Sequence, residues 1–146
     1  MVSLATEGNA HFSPSRVDME REAPSFTVDT LRIIQEREGS GAELFFIVGW
    51  DSLAHLHEWY RPDEIVSLAQ IVAVTRPGSE ADLERIKGLV PGLSEALHVI
   101  DTVHIGISST DIRERIRRGW PIRYHVPPPV AEYIERVRDE KGPGLT

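Results

Sequence analysis

The chain reads as an α/β protein with a mainly parallel sheet and flanking helices, on three observations. Two short apolar runs, Leu44-Phe45-Phe46-Ile47-Val48 and Ile71-Val72-Ala73-Val74, have strand length and no polar alternation, the pattern of parallel strands covered on both faces. Segments with helical start signals alternate with these runs, an order that calls for crossover connections. Each strand region also closes on Gly or polar residues, at Gly49-Trp50-Asp51, Arg76-Pro77-Gly78 and Ile107-Ser108-Ser109-Thr110. Such sheets bind ligands beyond the carboxyl ends of their strands.

Residues 1–11 give a weak helical start, broken at Gly8-Asn9. His11 to Glu20 alternates imperfectly through Phe12, Val17 and Met19 around Pro14, which predicts an edge strand or extended segment. Pro24-Ser25-Phe26-Thr27 launches a helix with Val28, Leu31 and Ile34 on one face, capped by Ser25 or Thr27 and ending near Glu38 before Gly39-Ser40-Gly41. After the first apolar strand a short helix from Ser52 carries Leu53, Leu56 and Trp59, and Pro62 opens another with Asp63 and Glu64 in its first turn. The second strand leads to a helix over Ser79–Val90, where Ser79 and Asp82 are spaced as a capping box. Ala96 to Ile107 reads as strand, Asp111 to Arg118 as helix stopping at Gly119. Pro127-Pro128-Pro129 starts a last helix with the stripe Val130, Tyr133, Ile134 and Val137. A single domain is expected over residues 1–140, with 141–146 a frayed tail.

The 146 residues suffice for a real core. No stretch of about 18 apolar residues occurs, and the first residues lack the basic and apolar segments of a secretory leader. Without cysteine there is no disulfide, thiolate nucleophile or zinc–thiolate site, which fits a cytoplasmic protein. The net charge of −7 argues against nucleic acid as a partner over the whole surface. Positive charge is nevertheless concentrated between Ile107 and His125, where five arginines face two acids.

That local excess surrounds Gly106-Ile107-Ser108-Ser109-Thr110-Asp111-Ile112-Arg113. Three hydroxyl residues between strand and helix belong to the preferred N-cap class, and Ser108 and Asp111 are spaced as a capping box. A strand, a polar turn and an open helix end place unpaired N–H groups and the positive end of the helix dipole at one point, a ready anion site. Arg113, in the first turn, adds a guanidinium fork; an ordinary capped helix is the competing reading. Arg115, Arg117 and Arg118 are expected on a solvated face.

Four blocks carry a resemblance: Ala23-Pro24-Ser25-Phe26-Thr27-Val28-Asp29-Thr30-Leu31, Phe46-Ile47-Val48-Gly49-Trp50-Asp51-Ser52-Leu53 with Trp59-Tyr60 beyond, Arg76-Pro77-Gly78, and Ile107 to Arg113. In this order, with the ending Arg123-Tyr124-His125-Val126-Pro127 through Tyr133-Ile134, the chain closely resembles the bacterial nicotinate-nucleotide adenylyltransferases of the HxGH nucleotidyltransferase superfamily. The resemblance implies a Rossmann-like fold and transfer of AMP from ATP to nicotinate mononucleotide in NAD biosynthesis, with Mg2+ accompanying ATP. By position it implies that Ser108, Ser109, Thr110 and Arg113 hold ATP phosphates, with Arg76 on the same ligand. Gly49 would let the backbone approach the nucleotide and Asp51 would bind ribose hydroxyls. Trp59 would stack on the pyridine ring, with Thr27 and Tyr60 near the nicotinate carboxylate.

One departure stands out. The family's signature, a Gly-rich turn followed by His-x-Gly-His, has no counterpart among the six histidines, so no catalytic residue is assigned. His55 and His57, two apart, are expected to point to different sides at the surface. Met1-Val2-Ser3-Leu4-Ala5 resembles an internal helix of the family. The expectation is therefore a chain lacking the family's N-terminal strand or strands and inactive alone. The alternatives are a non-catalytic nucleotide-binding module, or a related adenylyltransferase acting on phosphopantetheine or nicotinamide mononucleotide.

Overall fold

A central β-strand with partners on both sides organises the larger part of the chain. The computed structural model describes residues 1–39, 41–75, 82–101 and 105–141. In chain order its elements are α1 (Val2–Thr6), α2 (Thr27–Glu38), β1 (Phe45–Gly49), α3 (Trp50–Ala54), a 3₁₀ turn (Leu56–Glu58), α4 (Pro62–Leu68), β2 (Gln70–Val74), α5 (Leu83–Leu89), α6 (Leu93–Ala96), β3 (Leu97–Ile100), α7 (Ser109–Arg117) and α8 (Pro128–Lys141). They divide into two compact units, Arg16–His104 and Met1–Ser15 with Ile105–Thr146.

In the Arg16–His104 unit the strands lie in the order β1-β2-β3, all parallel, with Phe46 opposite Ile71 and Ile71 opposite Leu97. The α/β reading with a parallel sheet therefore holds. On β2 both faces are covered: Ile71, Val72 and Ala73 are all buried. β1 differs from its expectation, since Phe45 is 55% and Ile47 68% exposed while Val48 is buried. An apolar run reports that a strand is hydrophobic, not whether it is central; among the described residues β1 pairs with β2 alone. The core gathers Val28 and Leu31 of α2, Leu53 of α3, Ile65 and Val66 of α4, Ile86 of α5 and Leu93 of α6 around the covered face. Each such side chain contributes about 1.5–3 kcal/mol on burial.

Helix starts differ in detail from expectation. Phe26 is the N-cap of α2 and makes no side-chain capping bond; Ser25 instead donates to the Asp18 carbonyl at 3.2 Å. Asp82 caps α5 by accepting from the Arg85 N–H at 3.0 Å, so the helix begins at Leu83; Ser79, like Arg76-Pro77-Gly78, lies outside the described residues. No strand forms between His11 and Glu20: residues 12–16 are irregular and a turn follows at 17–19, with Val17 buried and Phe12 and Met19 exposed. The third strand ends at Ile100, and residues 105–107 are not in a strand. Residues 102–104 and 142–146, which include most of the expected tail, lie outside the described residues.

In the second unit α1 ends before Gly8, whose φ of +83° is the left-handed conformation that glycine adopts without strain. α7 stops before Gly119. On α8, Val130 is buried and Tyr133, Ile134 and Val137 are half-buried, the stripe the spacing predicts.

Candidate functional site

Two groups of expected site residues are assembled, one in each unit. The first begins with α2. The segment before it is fastened by a network: Arg21 reaches the Asp18 carboxylate at 2.6 Å and the Thr30 hydroxyl at 2.7 Å, and Thr30 donates to Asp18. Thr30, with Arg21 behind it, holds the Asp18 carboxyl below its ordinary range. On the same helix Arg32 pairs with Asp29 at 2.9 Å and with Glu64 of α4, and Arg61 also binds Glu64, at 2.6 Å. The network joins the entry segment, α2 and α4.

Between those elements runs Trp59-Tyr60-Arg61-Pro62. Arg61 sits in the left-handed region at φ 54°, costing on the order of 1 kcal/mol for an L residue, and its ion pair to Glu64 spans that turn. Trp59 is half-buried, its indole edge-on to Phe46 with ring centroids 6.0 Å apart. Tyr60 lies against Phe26 at 4.4 Å. A cavity of about 300 Å³ opens there, lined by Ser25, Phe26, Thr27, Glu58, Trp59, Tyr60 and Ile65. Thr27, Trp59 and Tyr60, the three expected acceptor residues, thus share one concave site with an apolar floor and hydroxyl groups at its wall. Sequence reasoning missed Phe26, Glu58 and Ile65, although the first two adjoin residues it named.

At the carboxyl end of β1, Gly49 is the N-cap of α3 and Asp51 is in that helix's first turn. The φ and ψ of Gly49 are −72° and 156°, which any residue adopts. A side chain there would meet nothing within 4 Å. Among the described residues neither backbone conformation nor packing requires glycine at this position. Arg76 lies outside the described residues.

The second group is the start of α7. Ser108 is its N-cap, the hydroxyl accepting from the Asp111 N–H at 3.0 Å. Ser109 and Thr110 occupy the first helical positions, and Ser108, Ser109, Thr110 and Arg113 are all exposed. The arginines then part ways. Glu114 binds Arg117 at 2.6 Å and also pairs with Arg118, and the Arg118 hydrogen bond is the chief cause holding the Glu114 carboxyl below its ordinary range. Arg115 donates to the Pro121 carbonyl at 3.0 Å, and both Arg115 and Arg118 lie over the Trp120 ring. Among the described residues Arg113 makes no ion pair. Its helix neighbours Arg115, Arg117 and Arg118 are engaged with Pro121, Glu114 and Trp120, while the Arg113 side chain is exposed.

The histidines correct one expectation. His55 Nδ1 lies 3.2 Å and His57 Nε2 3.6 Å from the same Glu58 oxygen. They do not diverge, because α3 ends at Ala54 and the chain tightens into a 3₁₀ turn from Leu56. His55 is exposed as expected, whereas His57 is half-buried. Among the described residues no group of three or more His, Asp and Glu is placed to hold a metal ion, and no helix is long and apolar enough to cross a membrane.

Known proteins supply the comparison for this arrangement. The cytidylyltransferase-like family profile matches residues 1–115. A probable nicotinate-nucleotide adenylyltransferase of Thermomicrobium roseum is 43% identical over 93% of this chain and 63% of its own length. One of Tropheryma whipplei is 42% identical over 93% of this chain and 68% of its own length. The chain thus spans about two thirds of the length of the curated relatives it matches. The Plasmodium falciparum nicotinic acid mononucleotide adenylyltransferase complexed with APC superposes with a TM-score of 0.61 at 19% identity, over 82% of this chain and 60% of its own. A structure of the same Plasmodium enzyme complexed with NaAD gives a TM-score of 0.59, also at 19% identity, over 79% of this chain and 57% of its own.

Proposed function

Because the chain belongs to the cytidylyltransferase-like family, among its nicotinate-nucleotide adenylyltransferases, we propose that it binds nicotinate mononucleotide and ATP for adenylyl transfer. In that reaction an oxygen of the mononucleotide phosphate attacks the α-phosphorus of ATP. The bond to the β-phosphate breaks, pyrophosphate leaves, and deamido-NAD forms. The observation that carries the reading is that two segments distant in sequence, Ser25 with Thr27 and Trp59 with Tyr60, line a single cavity.

Each residue has a physical part in this reading. The Trp59 face supports a flat heteroaromatic ring, and the hydroxyls of Thr27 and Tyr60 donate to the pyridine carboxylate. Gly49 leaves open space for a nucleotide to approach the backbone, and Asp51 accepts from ribose hydroxyls as carboxylates do in dinucleotide folds. Ser109 and Thr110 offer first-turn N–H groups to phosphate, with Arg113 adding a charged fork; Arg76 is assigned to the same ATP from its place in the sequence motif. Nucleotidyl transfer consists mostly of positioning and charge stabilisation, which is what these groups supply. In this reading ATP would bind as its complex with a divalent ion, Mg2+, which would offset phosphate charge. The cytoplasm, where ATP is supplied, is the compartment this reading implies.

The six histidines include no His-x-Gly-His, and so the 146-residue chain is proposed to bind these nucleotides without turning them over. Calorimetric titration with each mononucleotide and with Mg-ATP, followed by a pyrophosphate-release assay, tests both statements. Saturable binding of nicotinate mononucleotide with release at background is expected. Failure to bind it overturns the acceptor assignment; turnover near that of a full-length relative overturns the second statement. A thermal melt by circular dichroism, with and without Mg-ATP, separates a folded nucleotide-binding module from an incomplete enzyme: only the module shows a cooperative transition that Mg-ATP raises.

A further inference from the structure

Glu58 borders two cavities. One is the acceptor cavity already described; the other, of about 280 Å³, is lined by Ala54, His55, His57, Glu58, Asp82, Arg85, Ile86 and Leu89. Its carboxylate is engaged by the histidines of the second, with Oε1 3.2 Å from His55 Nδ1 and 3.6 Å from His57 Nε2. Around the acceptor cavity the other lining residues are Ser25, Phe26, Thr27, Trp59, Tyr60 and Ile65, none of them cationic. Arg61, the nearest arginine in sequence, is committed to Glu64 at 2.6 Å. Among the described residues Glu58 is the one acidic residue that lines this cavity, and no lining cation offsets it.

Resting on the acceptor reading above, we propose that Glu58 sets the charge preference of the cavity. A carboxylate at its border repels an anionic pyridine carboxylate and leaves a neutral carboxamide unaffected. A hydrogen bond with His55, with His57 Nε2 3.6 Å from the same oxygen, anchors the Glu58 oxygen on the side of the second cavity. The repulsion is thereby reduced and the acid is admitted. Removing the imidazoles frees the carboxylate and shifts the preference toward the amide. At partly exposed positions the interaction of two such charges is modest, which corresponds to a change of about two- to fivefold in affinity.

The test measures the dissociation constants of nicotinate mononucleotide and nicotinamide mononucleotide by calorimetry, on the 146-residue chain and four variants. Glu58→Gln should tighten the acid about two- to fivefold and leave the amide unchanged. His55→Ala, at an exposed position that the fold tolerates, and His57→Gln should each weaken the acid alone. Combined with Glu58→Gln, His55→Ala should have no further effect, an outcome that a general loss of structure does not produce. If the chain binds nicotinate mononucleotide but the acid-to-amide ratio is the same in all variants, this inference falls and the acceptor reading stands. If it binds neither mononucleotide, both fall.

Discussion

The two assembled groups are built in opposite ways. The Ser25–Tyr60 cavity is an outgrowth of the core. Its floor is Ile65, fully buried, its wall Trp59 packs on Phe46, and an ion network from Asp18 to Glu64 ties the surrounding elements together. The α7 start is a surface feature, whose Ser108, Ser109, Thr110 and Arg113 are all exposed and shaped by local capping alone. A ring-binding site needs desolvated walls and inherits them from folding. A phosphate-binding turn needs donors that stay hydrated until the ligand arrives. The two groups should therefore respond differently to substitution, and the largest difference lies in stability. Ile65→Ala should cost about 2–5 kcal/mol of unfolding free energy by urea denaturation and weaken nicotinate mononucleotide along with it. An Ile65→Ala chain of unchanged stability would break the comparison.

Arg113→Ala is the mirror experiment. With the guanidinium exposed and, among the described residues, without an ion pair, its removal should leave the urea midpoint where it was. Loss of a charged hydrogen bond to phosphate should weaken ATP by about 1.5–3 kcal/mol, roughly 10- to 150-fold. Arg117→Ala, which only releases Glu114, serves as the control and should leave ATP affinity alone. Equal effects of the two substitutions would return α7 to an ordinary capped helix with a basic face.

Much of this contrast was legible in the sequence, for reasons that differ by region. Capping is local, so Ser108 followed three residues later by Asp111 announced the N-cap of α7, although the helix begins at Ser109 and not at the expected Asp111. The cavity was legible only through the resemblance, since nothing local says that Thr27 and Trp59 meet. The ion network was not read at all: Arg32 and Glu64 look like solvated helix charges until α2 and α4 are packed together. Of the two readings for His11 to Glu20, an edge strand or an extended segment, no strand forms, because alternation by itself supplies no neighbouring strand to pair with. β1 failed in one respect, its open face, for the same lack of a long-range partner. His55 and His57 were misjudged because a uniform helical period was assumed across a point where the helix changes type.

Ser108→Ala probes how far the α7 turn depends on its own cap. Losing the acceptor for the Asp111 N–H should destabilise the helix by about 1 kcal/mol, seen as faster amide exchange in the first turn of α7. Exchange within α2 and α4 should not change. Faster exchange there as well would mean that the cap supports more than its own helix.

The smallest expected effect lies on the acceptor side and is sensitive to pH. The Asp18 carboxyl is held below its ordinary range first by the Thr30 hydroxyl and then by the Arg21 guanidinium, against partial burial that pushes the other way. A folded-state value below the unfolded one means that the contribution is complete above the ordinary carboxylate pKa of about 4 and is lost as pH falls through the folded value. Asp18 is 57% exposed, so Asp18→Asn should cost only about 0.5–1 kcal/mol at pH 7. The gap to the parent chain should narrow as the pH is lowered from 5 to 3 in parallel urea titrations. A gap that persists undiminished at pH 3 would assign the loss to packing of the entry segment instead of to its charge. Because that segment leads into Phe26 and Thr27, a real electrostatic loss should also weaken nicotinate mononucleotide slightly at pH 7 while ATP affinity stays constant.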